Sequence, residues 1–174
     1  MSDKKKVKLY DPATSKVDWF NVDDPVMGGI SESHSEVVER GTDETVLIFS
    51  GNVSLENNGG FCSTRTEEHK WNLPPLSGFQ LKVRGDGKRY KFTVRTGEES
   101  QGSYRHEFDT RRNKTVTHDF AIEDFEMFRR GTHLADAPPL DPSKVESIGI
   151  LVSDKQAGDF ELEIFGIWAT KKPS

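Results

Sequence analysis

Three polar loops gather the side chains of this chain that could bind or react: Asp23-Asp24-Pro25-Val26-Met27-Gly28-Gly29, Gly51-Asn52-Val53-Ser54-Leu55-Glu56-Asn57-Asn58-Gly59-Gly60-Phe61 and Arg84-Gly85-Asp86-Gly87-Lys88. Asn and Gly accept positive φ that other residues resist, so strands end in such runs. The second run is longer than a turn requires. It adds the amides of Asn57 and Asn58 and the carboxylate of Glu56, which predicts a shaped surface that positions polar groups. Asp23 and Asp24, with Glu56 or Asn57, are oxygen donors of the kind calcium takes. An Asp before Pro25 also initiates an ordinary turn, and the turn reading is preferred, so neither a metal nor a cofactor is expected. Glu56 and Asp86 are the carboxylates to check for glycoside hydrolysis, whose geometry is three-dimensional.

Nucleophile machinery is not legible. There is no Gly-x-Ser-x-Gly elbow, no Walker sequence and no dinucleotide fingerprint. Cys62 opens a strand with no histidine near it in sequence, as a small core or edge residue would. His34, His69, His106, His118 and His133 lack ligand-like spacing. The chain is therefore expected to be non-catalytic.

Cations and aromatics offer binding groups instead. Phe79, Leu81 and Val83 alternate with Gln80, Lys82 and Arg84; Tyr90, Phe92 and Val94 alternate with Lys91, Thr93 and Arg95. Asp86-Gly87 between two alternating runs predicts a hairpin. Lys82, Arg84, Lys91 and Arg95 would then share one face, either a solvated outer surface with cross-strand partners or a cationic face for an anionic or hydroxyl-rich partner. Trp19, just before the Asp-Pro loop, and Tyr104 are candidate stacking platforms for a sugar, with Trp71 covering a loop and Trp168 in the core.

These groups must be held by strands. Further alternating runs are Ser33–Val38, Thr45–Val53, Phe61–Arg65, Tyr104–Asp109, Lys114–Phe120, Ser147–Val152 and Asp159–Trp168. Short strands with turn signals along the whole length predict an all-β sandwich or barrel. Ile122–Phe128 reads as two helical turns ending at Gly131, and Asp141-Pro142 as a cap followed by proline at the first helical position. The stretch from about 121 to 145 reads as a crossover. With 174 residues the chain makes one domain, taken as 11–170, between tails at 1–10 and 171–174.

Charge and composition exclude some classes. Net charge of −5 argues against nucleic acid as a partner. No apolar run has the length of a transmembrane helix, and the lysines at 4, 5, 6 and 8 lead no apolar segment of the secretory kind. One cysteine precludes an internal disulfide.

The loops also carry a resemblance. Asp24-Pro25-Val26-Met27-Gly28-Gly29 with Ser31, the Gly51–Phe61 run with Ser63-Thr64-Arg65-Thr66, Val83-Arg84-Gly85-Asp86-Gly87-Lys88-Arg89-Tyr90, and Ser147-Ile148-Gly149-Ile150 with Ser153-Asp154-Lys155-Gln156-Ala157-Gly158 occur in order. Together, from about Trp19 to Trp168, they resemble the complex I intermediate-associated protein 30 family. The resemblance implies a galactose-binding-like β-sandwich, or jelly roll. It implies a chaperone-like assembly factor that holds protein subunits of partly built respiratory complex I, in the mitochondrion, or of another multisubunit complex. Without a recognised targeting peptide, a cytoplasmic protein is the alternative location, and a carbohydrate-binding module the alternative function. The candidate partner- or ligand-binding residues are Trp19, Asp24, Asn57, Asn58, Arg65, Arg84, Asp86 and Arg95.

Overall fold

Two antiparallel sheets face each other across one apolar core. The computed structural model describes residues 6–23, 29–56, 60–97, 102–129 and 131–173. The first sheet holds β1 (Lys6–Tyr10), β3 (Glu32–Arg40), β4 (Glu44–Val53), β6 (Leu76–Arg84), β9 (Thr115–Ala121) and β13 (Gly158–Lys171). Its order is β3-β4-β13-β6-β9, with β1 also paired to β13. The second sheet holds β2 (Trp19–Asn21), β5 (Cys62–Thr66), β7 (Arg89–Arg95), β8 (Ser103–Asp109), β10 (Glu126–Arg129), β11 (Thr132–His133) and β12 (Ser147–Val152). Its order is β11-β10-β8-β7-β12-β5-β2. This is the all-β sandwich that alternation predicts, and its inner faces are the predicted apolar ones. Phe79, Leu81 and Val83 of β6 meet Tyr90, Phe92 and Val94 of β7, all at 0–1% exposure. Burying each aromatic here is worth roughly 1.5–3 kcal/mol. Edge-to-face contacts fix the rings: Phe79 lies 5.5 Å from Phe92 and from Phe125, and Phe49 lies 4.9 Å from Phe160.

Four local expectations are corrected by this topology. First, β6 and β7 do not form a hairpin. β6 pairs with β13 and β9, β7 with β12 and β8. Residues 85–88 carry the chain from one sheet to the other. Lys82 and Arg84 therefore lie on the outer face of the first sheet, and Lys91 and Arg95 on that of the second. Second, Lys6–Tyr10 is a strand and not a tail. It pairs with the end of β13, and Leu9 and Tyr10 enter the core. Third, Ile122–Asp124 makes a single 3-10 turn, and Glu126–Arg129 continues as β10, paired to β8. Phe125 and Met127 are buried while Glu126 is exposed, a period-2 pattern that suits an added strand better than a helix. Fourth, Trp168 faces outward. A register shift between Ile164 and Gly166 reverses the phase of β13, so Ile167 and Ala169 enter the core and the Trp168 ring lies over Gly166. The Asp141 cap is as expected: its carboxylate accepts from the Ser143 N–H at 3.0 Å, with Pro142 opening the turn.

Candidate functional site: an arginine face on the seven-stranded sheet

β12 runs through the middle of the second sheet, and all six of its residues are buried. Ile148, Ile150 and Val152 point into the core. Ser147, Gly149 and Leu151 point outward, flanked in register by longer side chains of β5 and β7. Register builds one row across four strands: Arg65 of β5 opposite Gly149, Gly149 opposite Thr93 of β7, and Thr93 opposite Arg105 of β8. Phe20 of β2 continues the row beyond Arg65, and Glu126 of β10 beyond Arg105. Arg95 sits two residues from Thr93 on the same face, opposite Ser147. Glycine keeps the middle of the row low. A Cβ on Gly149 would stand 2.4 Å from the Thr64 carbonyl oxygen, 2.8 Å from Arg65 Cβ and 2.9 Å from Thr93 Oγ1.

Three guanidinium groups thus crowd one patch. Arg65 lies over the Phe20 ring at 5.1 Å, and Arg105 over the Phe128 ring at 5.3 Å. Arg105 Nε donates to Ser103 Oγ at 3.0 Å, and Arg95 Nη1 donates to the Gly102 carbonyl at 3.1 Å. Arg95 Nε is buried with no hydrogen-bond partner among the described residues. No described carboxylate lies within 4.0 Å of any of the three. All three are held below the ordinary arginine value, chiefly by burial. Arg95 falls furthest, to about 10, because the charges of Arg65 and Arg105 add to its desolvation. It still carries its proton at neutral pH. Asp154 acts on Arg105 from a distance but is itself paired with Lys91 at 3.1 Å. Uncompensated, partly desolvated cations are suited to capturing an anion.

Arg84 and Asp86 belong to a different place. On the outer face of the first sheet Glu163 of β13 accepts from Arg40 Nη1 and Nη2 at 2.9 and 2.6 Å and from Arg84 Nε at 3.1 Å. Asp86 holds its own loop together, accepting from Lys88 N at 3.1 Å, Glu161 N at 2.9 Å and the Tyr90 hydroxyl at 3.0 Å. Burial and the Asp86 charge push the Tyr90 phenol well above its usual range. Arg40, Arg84, Asp86, Arg112, Glu161 and Glu163 are among the residues lining an open cleft of about 360 Å³. Here each named cation of the ion pairs already has its carboxylate.

Of the eight sequence candidates, Arg65 and Arg95 come together, and Arg84 and Asp86 come together on the opposite sheet. Trp19 faces the core side of β2, edge-on to Tyr10 at 5.1 Å. The outward aromatic of that strand is its neighbour Phe20, 42% exposed. Tyr104 is buried, with its hydroxyl donating to the Pro138 carbonyl at 2.8 Å. Asp24, Asn57 and Asn58 lie outside the described residues. Asp23 accepts from Ser33 Oγ at 2.7 Å and Ser63 N at 3.1 Å, tying its loop to β3 and β5. Among the described residues no cluster of three or more His, Cys, Asp or Glu side chains could hold a metal ion. Cys62 is fully buried in the core. Arg105, Phe20 and Phe128 escape a sequence reading. Alternation in Tyr104–Asp109 would turn Arg105 outward, but its neighbours follow only from strand order.

The comparisons with known proteins agree with this architecture. The model of the complex I intermediate-associated protein 30 family matches residues 8–164. No curated protein matches the chain significantly. Among solved structures, a family 11 carbohydrate-binding module of a cellulosomal cellulase of Clostridium thermocellum is similar, with a TM-score of 0.70 at 12% identity, over 98% of this chain and 97% of that one. The Clostridium thermocellum family 11 module in complex with a β-1,3-1,4-mixed-linked tetrasaccharide gives a TM-score of 0.72 at 11% identity, over 95% of each chain. An agarase gives 0.59 at 10% identity, over 97% of this chain and 25% of that one. At such identities the likeness is one of fold.

Proposed function

The chain belongs to the complex I intermediate-associated protein 30 family, and from that premise we propose that it is a non-catalytic binding protein, a chaperone-like factor for assembling a multisubunit complex. Its clients are protein subunits of respiratory complex I intermediates, and its place of work is the mitochondrion. The outer face of the seven-stranded sheet is the capture surface. One observation carries this: Arg65, Arg95 and Arg105 share that face with no described carboxylate in ion-pair range, whereas the Arg40 and Arg84 cations of the other sheet are paired. Like charges gathered without counter-charge cost stability, and a partner that supplies the counter-charge recovers it.

The test is a mild-lysis pull-down of the tagged native protein with partners identified by mass spectrometry. Complex I subunits or assembly factors are expected. A different complex would move the client, and absence of any specific protein partner would overturn the assembly reading.

A second reading, a carbohydrate-binding module, draws on the whole-chain likeness to such modules. The outward rings weigh against it. Phe20, Phe128, Phe165 and Trp168 each have a cation over the ring at 5.1–5.9 Å, where a sugar would stack. Glycan-array binding abolished by Phe20→Ala would reverse that preference.

A further inference from the structure

We propose that the arginine face is a carboxylate-recognition site that takes an acidic, extended segment of the client, with Arg65, Arg95 and Arg105 as the recognising groups. This rests on the client capture proposed above and names its chemistry.

Spacing decides the ligand class. From β5 to β8 there are three interstrand steps of about 4.8 Å, so the Cα atoms of Arg65 and Arg105 stand roughly 14 Å apart. Arg65 leans over Phe20 toward β2 and Arg105 over Phe128 toward β10, so the outer two guanidinium groups point apart and favour a ligand that spans the row over one small oxyanion. An extended peptide rises about 3.4 Å per residue, so carboxylates two to four residues apart reach successive arginines.

Pre-organisation is visible at each cation. Arg65 and Arg105 lie against Phe20 and Phe128, which leaves N–H edges for an in-plane acceptor. Arg95, between them, has a buried Nε with no described acceptor. Gly149 lets the Arg65 and Thr93 side chains close over β12, since a Cβ there would stand 2.8 and 2.9 Å from them, and this sets the two neighbouring strands' side chains close together on the face. The Thr93, Ser147 and Ser103 hydroxyls share the patch. Described carboxylates border the row: Glu126 stands in it beyond Arg105, and the Glu146 carboxylate sits against Gly97, two residues past Arg95. Glu107 is opposite Lys91, and Asp154 pairs with Lys91. These carboxylates narrow the path of an acidic segment to the row between β5 and β8.

The probe is a fluorescently labelled hexaglutamate peptide, read by anisotropy on the full chain at fixed salt, with hexaglutamine as its neutral counterpart. Hexaglutamate should bind, hexaglutamine should not, and affinity should fall as salt rises. Arg65→Gln/Arg95→Gln should weaken binding about tenfold or more. Lys171→Gln/Lys172→Gln, with the same loss of charge at the end of β13 in the other sheet, should stay within about twofold. Arg95→Lys should not restore the affinity, because a point charge lacks the bidentate fork. Circular dichroism verifies folding, and Arg105→Gln serves if the double variant does not fold.

Undiminished peptide binding by the double variant, or an equal loss in the lysine control, overturns the proposal. So does tighter binding of oligogalacturonate or inorganic phosphate than of the peptide at these arginines. Undiminished co-purification of client by the double variant sinks this inference and leaves the assembly reading standing. Arginine-dependent peptide binding without any co-purifying client does the reverse.

Discussion

Replacing Glu163 by glutamine removes the charge at the centre of the first sheet's outer face. The side chain is 11% exposed and accepts three charge-assisted hydrogen bonds, two from Arg40 and one from Arg84. A buried charge-assisted bond is worth about 1.5–3 kcal/mol. The arginine heads are about one-third exposed, at 35% and 33%, so water screens the network and takes over part of the lost bonding. Loss of the carboxylate charge should then cost about 2–3 kcal/mol in all. For a domain of this size each kcal/mol lowers Tm by about 2–4 °C, which gives a fall of roughly 5–10 °C at pH 7. The effect has a pH signature. Hydrogen bonds from Arg40, then the Arg84 charge, hold the Glu163 carboxyl below its ordinary 4.5 against the opposing effect of burial. Its folded-state value lies below the unfolded one, so the stabilisation is complete above about pH 4.5 and drains away as pH falls through the folded value. Thermal melts of Glu163→Gln and wild type should therefore converge as pH falls below 4.5 and through the folded value. A difference under about 1 °C at pH 7, or a gap that stays constant into acid, would refute the reasoning.

Three further outcomes follow from particular contacts. Asp86→Asn should lower stability by about 1–3 kcal/mol, since an amide cannot serve the Tyr90 hydroxyl, Lys88 N and Glu161 N as the carboxylate does; denaturant melts with an unchanged m-value check this. Gly149→Ala should destabilise by about 3 kcal/mol or more, because its Cβ would meet the Thr64 carbonyl oxygen at 2.4 Å and part β12 from β5; amide exchange should show protection lost first in those strands. Burial among Phe108 and Phe120 pushes His118 below the ordinary 6.5, so the unfolded chain binds its proton first and stability is lost as pH falls from 6.5 toward the folded value. The His118 ring signals in an NMR titration should have a midpoint under 6.5, and His118→Gln should flatten that part of the pH–stability curve.

Much of the fold can be read locally. Period-2 alternation identifies the inward residues of β6 and β7 correctly, because a strand's side chains alternate whatever it pairs with. The Asp141 cap and Pro142 are legible for the same reason: the relevant bonds lie within two residues. Alternation says which residues share a face of one strand, not which strands share a sheet. Asp86-Gly87 serves a sheet-to-sheet crossover as well as a hairpin, so the basic residues of one sequence stretch end on opposite sides of the molecule. The inserted residue in β13 shows the same limit at smaller scale, since one change of phase moves Trp168 from the expected core to the outside.

The amino-acid sequence by itself determined the family, the all-β class and the apolar faces that make the core, since loop motifs, strand periodicity and turn chemistry are properties of neighbouring residues. Tertiary structure decided the candidate site. Arg65, Arg95 and Arg105 come from β5, β7 and β8, and β12, from much later in the chain, separates the first two. Whether a cation meets a carboxylate or another cation depends on strand order and register, which long-range hydrogen bonding and core packing select together.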